Sequence, residues 1–271
     1  MNGTSSPSLA RAGARLVAER ITESVALVGR VTIMYGDMLR SAIRRSPGFT
    51  LVVDQMNVIG VGSLNLVIVI SLFTGAVAAV QAAYQFSSVV PLRYLGAVIL
   101  RSTVIELGPV LTALVVGGRV GAAIAAELGS MKVTEQIEAM RSMGVNPVRV
   151  LIVPRVVAAT VMLPVITVFS DAIAVFGGGV VAVFTIGVSP GTYISGIKDF
   201  FYTKDLMSGL LKAIVFGNII GTMGCYFGFA TEGGAEGVGA ATTRAVVSSC
   251  VLVLITDYVL ATVLFRIIFK S

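Results

Sequence analysis

Glu106, Arg119 and Glu127 stand inside one apolar, Gly/Ala-rich run, ELGPVLTALVVGGRVGAAIAAELGS, which then turns into the charged segment MKVTEQIE. Ionisable side chains at bilayer depth are costly. They usually face a protein interior or line a pathway. The chemistry they suggest is charge pairing, or the gripping of a polar group, inside a membrane. Asp171, Lys212 and Asp257 interrupt three later apolar runs in the same way. The two aspartates read as buried and hydrogen-bonded between helices. Lys212 reads either as a point charge for a phosphate or as a side chain snorkelling to the interface.

Covalent catalysis has little to work with. The chain has no histidine, which excludes Ser-His-Asp, Cys-His and HExxH zinc chemistry. Cys225 and Cys250 lie in apolar runs and are too few for a metal site or a disulfide framework. The loop TEGGAEGVG at 231–239 is glycine-rich, but no Lys-Ser/Thr follows to complete a nucleotide-binding loop. No catalytic residue, metal site or cofactor is expected.

The elements that must position these charges follow from composition. Of 271 residues, 56% are hydrophobic and 13% charged, about half the charged share of a soluble domain (~25%). Mean hydropathy is +0.94. The expected fold is an all-α integral membrane protein with an N-terminal interfacial amphipathic helix followed by about five transmembrane helices. The net charge of +6 suits anionic headgroups rather than nucleic acid, because no basic cluster is interleaved with aromatics. No secretory signal is expected, because residues 1–10 are polar and no apolar core follows at the right place. Seven arginines, from Arg11 to Arg45, mark the first fifty residues as cytoplasmic.

Residues 9–46 carry Leu16, Val17, Ile21, Val28, Val31 and Tyr35 at helical spacing, and Ser46-Pro47-Gly48 breaks the pattern. A short interfacial piece at 49–58 is expected next. Residues 1–58 then form an N-terminal region and 59–271 a five-span domain. The spans fall near 63–86, 94–128, 156–185, 206–229 and 245–265, with a short external helix before Tyr202. A helix restart or kink is expected near Glu106, because Gly108-Pro109 follows. Between spans two and three, Thr134 can cap a short helix that ends before Gly144 and Pro147. Spacing allows that helix to be a solvated loop or a docking surface. Gly117/Gly121, Gly217/Gly221 and Gly224/Gly228 offer small-residue faces. Arg266 and Lys270 strain the charge bias of a five-span topology and argue for a sixth span.

Four segments carry a family resemblance: ELGPVLTALVVGGRVGAAIAAELGSMKVTEQIEAM at 106–140, GVNPVRVLIVPRVVA at 144–158, LLKAIVFG at 210–217 and EGVGAATTRAVV at 236–247. Together they resemble the MlaE/YrbE family of ABC-transporter permeases, which serve Mce-type lipid transport systems. The pattern at 241–247 is closer to the Gram-negative phospholipid branch. The resemblance implies a bacterial inner-membrane, multi-pass permease with a cytoplasmic N-terminus. It implies a second permease copy, forming a homodimer, and a cytoplasmic ABC ATPase that holds the ATP. A periplasmic MCE-domain protein and a STAS-domain protein complete the expected partners, with phospholipid moved toward an outer membrane. A coupling helix at 134–143 would meet the ATPase, through Glu127, Lys132, Glu135, Gln136, Ile137, Glu138, Met140 and Arg141. Lipid would lie between protomers beside Gln81, Tyr84 and Glu106, with Asp205 and Lys212 at the outer rim. The rival readings are a YrbE-like permease for fatty acid or sterol, and a secondary transporter driven by the membrane carboxylates.

Overall fold

Backbone N–H and C=O groups have no water to bond in hydrocarbon, so long apolar runs resolve into helices that satisfy themselves. The computed structural model describes residues 7–44, 48–86 and 91–268. Among these the chain is helical, without strands: α1 (Pro7–Arg44), α2 (Phe49–Phe86), α3 (Leu95–Ser102), α4 (Gly108–Val116), α5 (Ala122–Val133), α6 (Gln136–Ser142), α7 (Val153–Phe184), α8 (Pro190–Asp199), α9 (Thr203–Phe229) and α10 (Gly234–Ile268). Five stretches of the described residues are long and apolar enough to cross a membrane: Phe49–Phe86, Leu92–Val133, Val148–Phe184, Thr203–Phe229 and Gly234–Arg266. Among the described residues a sixth crossing finds no helix. α8 has 10 residues, about 15 Å of rise against a hydrocarbon core of ~30 Å.

The second crossing is built from pieces. A π-helical turn, Thr103–Leu107, separates α3 from α4, and a second, Gly117–Gly121, separates α4 from α5. Pro109 lies in the first turn of α4 and has no N–H to continue the ladder. The wider turn before it absorbs that loss. The expected restart at Glu106 is therefore a π-turn, and Glu106 sits within it.

Several boundaries differ from the sequence reading. The pieces expected at 49–58 and 63–86 are one helix, α2, so the expected domain boundary at 58/59 falls inside it. Gly60 and Gly62 do not mark its start. They leave room for Met162 and for the Arg119 guanidinium, which would lie 2.2 and 2.9 Å from an added Cβ. The last helix starts at Gly234 rather than 245, because Gly233 and Gly234, at φ 87° and 71°, complete the turn early. The break expected at Ser46-Pro47 lies outside the described residues.

α7 forms the centre: 61% of its most apolar stretch is buried, against 28% for α2 and 11% for α10. α2 and α10 thus keep faces for lipid or for another chain. The core of the bundle joins Ile59, Leu128, Ile152, Leu163, Ile166, Phe216 and Ile220. The closest helix approaches occur at glycines. A Cβ on Gly75 would lie 1.8 Å from the Ala174 carbonyl oxygen, and one on Gly217 would lie 2.4 Å from that of Ala159. The expected face at Gly117 and Gly121 is looser, with neighbours no nearer than 3.5 Å.

Gly75→Ala must push α2 off α7 and should cost at least ~1–3 kcal/mol, read as a lower melting temperature of the purified protein. Gly239→Ala, in α10 with nothing within 4 Å, should be neutral or stabilising by up to ~1 kcal/mol.

Candidate functional site

Three charges from three spans meet inside the bundle. Lys212 lies about 14 Å along α9 from its start at Thr203. Its side chain is only 1% exposed, and Nζ stands 2.7 Å from Glu106 Oε1 and 2.9 Å from Asp257 Oδ1. The contacts are close but not aligned as hydrogen bonds, so the attraction is mainly coulombic. One ammonium between two carboxylates leaves one excess negative charge when all three are ionised. Glu106 is the outward member, with a 37% exposed side chain.

Glu106 opens into a groove of about 590 Å³ at the α8 end of the bundle. Phe86, Val98, Ile105, Phe200 and Phe265 supply its apolar walls, and Arg101 and Glu106 its charges. Arg101 donates from Nε to Asp205 Oδ2 at 2.8 Å, and its guanidinium lies 5.6 Å from the Tyr202 ring centroid. Its side chain keeps 40% exposure, while that of Asp205 keeps 5%. The groove is therefore amphiphilic: an apolar trough with an open guanidinium edge and a carboxylate.

This arrangement changes several sequence-based assignments. Lys212 is not at an outer rim and has no exposed atoms to offer a phosphate. The neighbouring cation that does is Arg101. Asp205 is buried behind Arg101 rather than facing outward. Gln81 and Tyr84 lie on exposed positions of α2, Tyr84 at 83%, and neither lines the groove. Arg101 was missed by sequence reasoning, and Asp257 was read as structural only. The available signal was depth. Asp257 lies nine residues from Arg266, much as Lys212 lies nine from Thr203.

The other charges of the second crossing pair locally. Arg119 donates to Ser63 Oγ at 2.9 Å, and Glu127 meets Arg155 at 2.6 Å. Arg155 is buried and also donates to the Leu151 carbonyl. Asp171 is 6% exposed beside the Ser71–Ser170 hydrogen bond. Its Oδ1 finds no hydrogen-bond donor among the described residues and sits where a Cβ on Gly108 would fall, 1.7 Å away.

At the opposite end, α6 occupies the expected docking segment. Thr134 does not cap it. Its hydroxyl donates to the Ser130 carbonyl, and Glu135, in the left-handed region at φ 58°, takes the N-cap position. Gly144, at φ 75°, ends the helix, with Val145 N–H bonded to Met140 O. Ile137 is fully buried and packs into the main core, with Met140 half-buried beside it. Glu135, Gln136 and Arg141 are exposed. Glu138 bridges Lys132 and Arg141. The hydrogen bond from Lys132, reinforced by Arg141, holds the Glu138 carboxyl below its ordinary 4.5.

Residues 52–263 match the family described as Permease MlaE. A probable ABC transporter permease protein of Rickettsia bellii is 37% identical over 254 residues, covering 94% of this chain and 98% of that one. The intermembrane phospholipid transport system permease protein MlaE of Haemophilus influenzae is 32% identical over 250 residues, covering 92% and 96%. The chloroplastic protein TRIGALACTOSYLDIACYLGLYCEROL 1 of Arabidopsis thaliana is 33% identical over 236 residues, covering 87% and 67%.

Lys212→Gln leaves two carboxylates facing each other in the bundle and should cost about 3–5 kcal/mol. Adding Asp257→Asn should recover part of the loss, measured as melting temperatures in a double-mutant cycle. Glu138 has a depressed folded pKa, so its contribution is present above pH 4.5 and is lost as pH falls through the folded value. The protection of α6 amides, taken as the ratio of intrinsic to observed exchange rate, should therefore fall on acidification through that value, and Glu138→Gln should remove that dependence.

Proposed function

The chain belongs to the MlaE permease family, and we propose on that footing that it is the membrane subunit of an ATP-driven phospholipid transporter. It carries no nucleotide-binding loop, so ATP is hydrolysed by a separate cytoplasmic ATPase. The membrane is the bacterial inner membrane, with α1 on the cytoplasmic face. The short segments at the α6 end carry Lys132, Arg141, Arg149 and Arg155, and the α1 sequence adds further arginines. That supports a cytoplasmic assignment for this end. α1 then lies in the interface, with Leu27, Val31, Met34 and Met38 packed against the bundle.

The observation that carries the reading is the amphiphilic groove at the α8 end. A phospholipid needs an apolar trough for acyl chains and a cation for its phosphate. Phe86, Phe200 and Phe265 provide the first and Arg101 the second. A second copy of the permease would close the groove, using faces that α2 and α10 leave open. From there lipid passes to an MCE-domain protein that bridges toward the outer membrane, and a STAS-domain protein accompanies the ATPase.

Energy enters at α6. Ile137 fixes this helix to the core that contains α5, α7 and α9, so force applied to Glu135, Gln136 and Arg141 moves the spans as a body. α9 carries Lys212, which holds Glu106 at the groove wall. The cluster of Glu106, Lys212 and Asp257 also suits ion-coupled secondary transport. That reading predicts activity without an ATPase.

Gentle purification from the native membrane, with mass spectrometry of proteins and lipids, tests the proposal. An ATPase, an MCE-domain protein and phospholipid should co-purify. A lone chain would favour the ion-coupled reading. Arg101→Ala should lower the phospholipid retained by the purified complex. Ile137→Ala should loosen α6 by about 2–5 kcal/mol and reduce lipid transfer per ATP hydrolysed.

A further inference from the structure

A second cavity, of about 760 Å³, lies at the α6 end of the bundle, between α1, the end of α9 and the start of α10. Three arginines line it: Arg30 from α1, Arg141 from α6 and Arg244 from α10. Asp37 and Glu232 are its carboxylates. Asp37 leans toward Arg40, at 3.9 Å. Arg30 uses Nε to donate to the Tyr226 hydroxyl at 3.0 Å, which orients the guanidinium and leaves its two terminal nitrogens available. Arg141 shares one nitrogen with Glu138 at 3.1 Å. Arg244 is exposed and pairs with no described residue. Leu27, Met34, Phe227 and Phe229 add apolar wall, and Thr231 adds a hydroxyl.

We propose that this cavity binds the phosphate headgroup of an anionic phospholipid from the leaflet at the α6 end, at a site separate from the groove at the α8 end. Guanidinium forks match phosphate oxygens in pairs, and two such forks from different helices would hold one phosphate between them. The volume falls within the range of sites for small ligands, ~300–1,000 Å³. The opening lies where α9 and α10 leave their apolar stretches, so acyl chains run along Met34 and Phe229 into hydrocarbon while the headgroup stays at the arginines. Bound there, the lipid joins α1 to the bundle and makes the position of α1 sensitive to leaflet charge. The proposal rests on the transporter reading only for which leaflet is meant. Its readout is binding by the permease alone, without ATPase or transport, so the two can fail separately.

The test is native mass spectrometry of the purified permease, delipidated and then exposed to phosphatidylglycerol or phosphatidylcholine in mixed micelles. Wild-type protein should retain phosphatidylglycerol in preference to phosphatidylcholine. Arg30→Gln/Arg244→Gln should weaken phosphatidylglycerol retention by about tenfold or more, because it removes two charge-assisted contacts, and should lower phosphatidylcholine retention less, because its choline cation opposes the arginines. Arg244→Gln alone alters an exposed, unpaired side chain. It should fold normally and show part of the loss. Equal retention of the two lipids by wild-type protein would overturn the proposal, as would full phosphatidylglycerol retention by the double variant. Competition by millimolar glycerol phosphate as effective as by the lipid would make this a free-phosphate site. Displacement of the lipid by added ATPase would make it a protein interface.

Discussion

An ammonium held between two carboxylates inside a membrane protein constrains everything around it. Lys212 is wholly buried, and burying an unpaired charge would cost several kcal/mol. The pair of acids offsets that cost only while the Lys212 ammonium on α9 stays within about 3 Å of Glu106 on the π-turn and of Asp257 on α10. The cluster therefore acts less as a source of stability than as a register mark. It fixes the mutual depth of three spans, and it does so at the wall of the groove. Any movement of α9 relative to the second crossing must move Glu106 or break the cluster.

The second crossing is shaped to allow this. A regular helix would carry Glu106 past the groove without a change of direction. Pro109 and the π-turn before it shift the face on which the following residues fall. Gly62 admits Arg119, so the charge within the second π-turn is satisfied by Ser63 rather than left bare. At the far end, Arg155 neutralises Glu127 and grips the Leu151 carbonyl. The crossing is thus tied at three depths, by ion pairs at its two ends and by the Arg119–Ser63 hydrogen bond between.

Much of this was legible in the sequence. The five apolar runs, the kink near Glu106, the end of α6 at Gly144 and the exposed positions of α6 follow from composition, proline and glycine placement, and charge spacing. The groove was not legible. Lys212 stands nine residues into its span, a distance compatible with snorkelling as well as burial, and only the partner helices decide between them. Arg101 was obscured because it lies in the lead-in to the second crossing, where a basic residue reads as an interfacial anchor. Gln81 and Tyr84 lie outside that groove. The rotation of α2, set by Gly75 and Gly177 against α7, turns them to the open face of the helix. Helix ends are local properties of a chain. Helix rotation is a property of the packed bundle.

The most direct measurement is of ATP-driven phospholipid transfer by the transporter reconstituted in vesicles, with ATP turnover followed in the same sample, for wild type and Glu106→Gln. The variant keeps the size of the side chain and removes its charge. If Glu106 links the moving α9 to the groove, transfer should fall by about tenfold or more, equivalent to ~1.4 kcal/mol of lost coupling, while the complex still assembles and hydrolyses ATP. Wild-type transfer by Glu106→Gln at equal assembly would contradict the account, because the cluster would then be a structural tie with no part in transport.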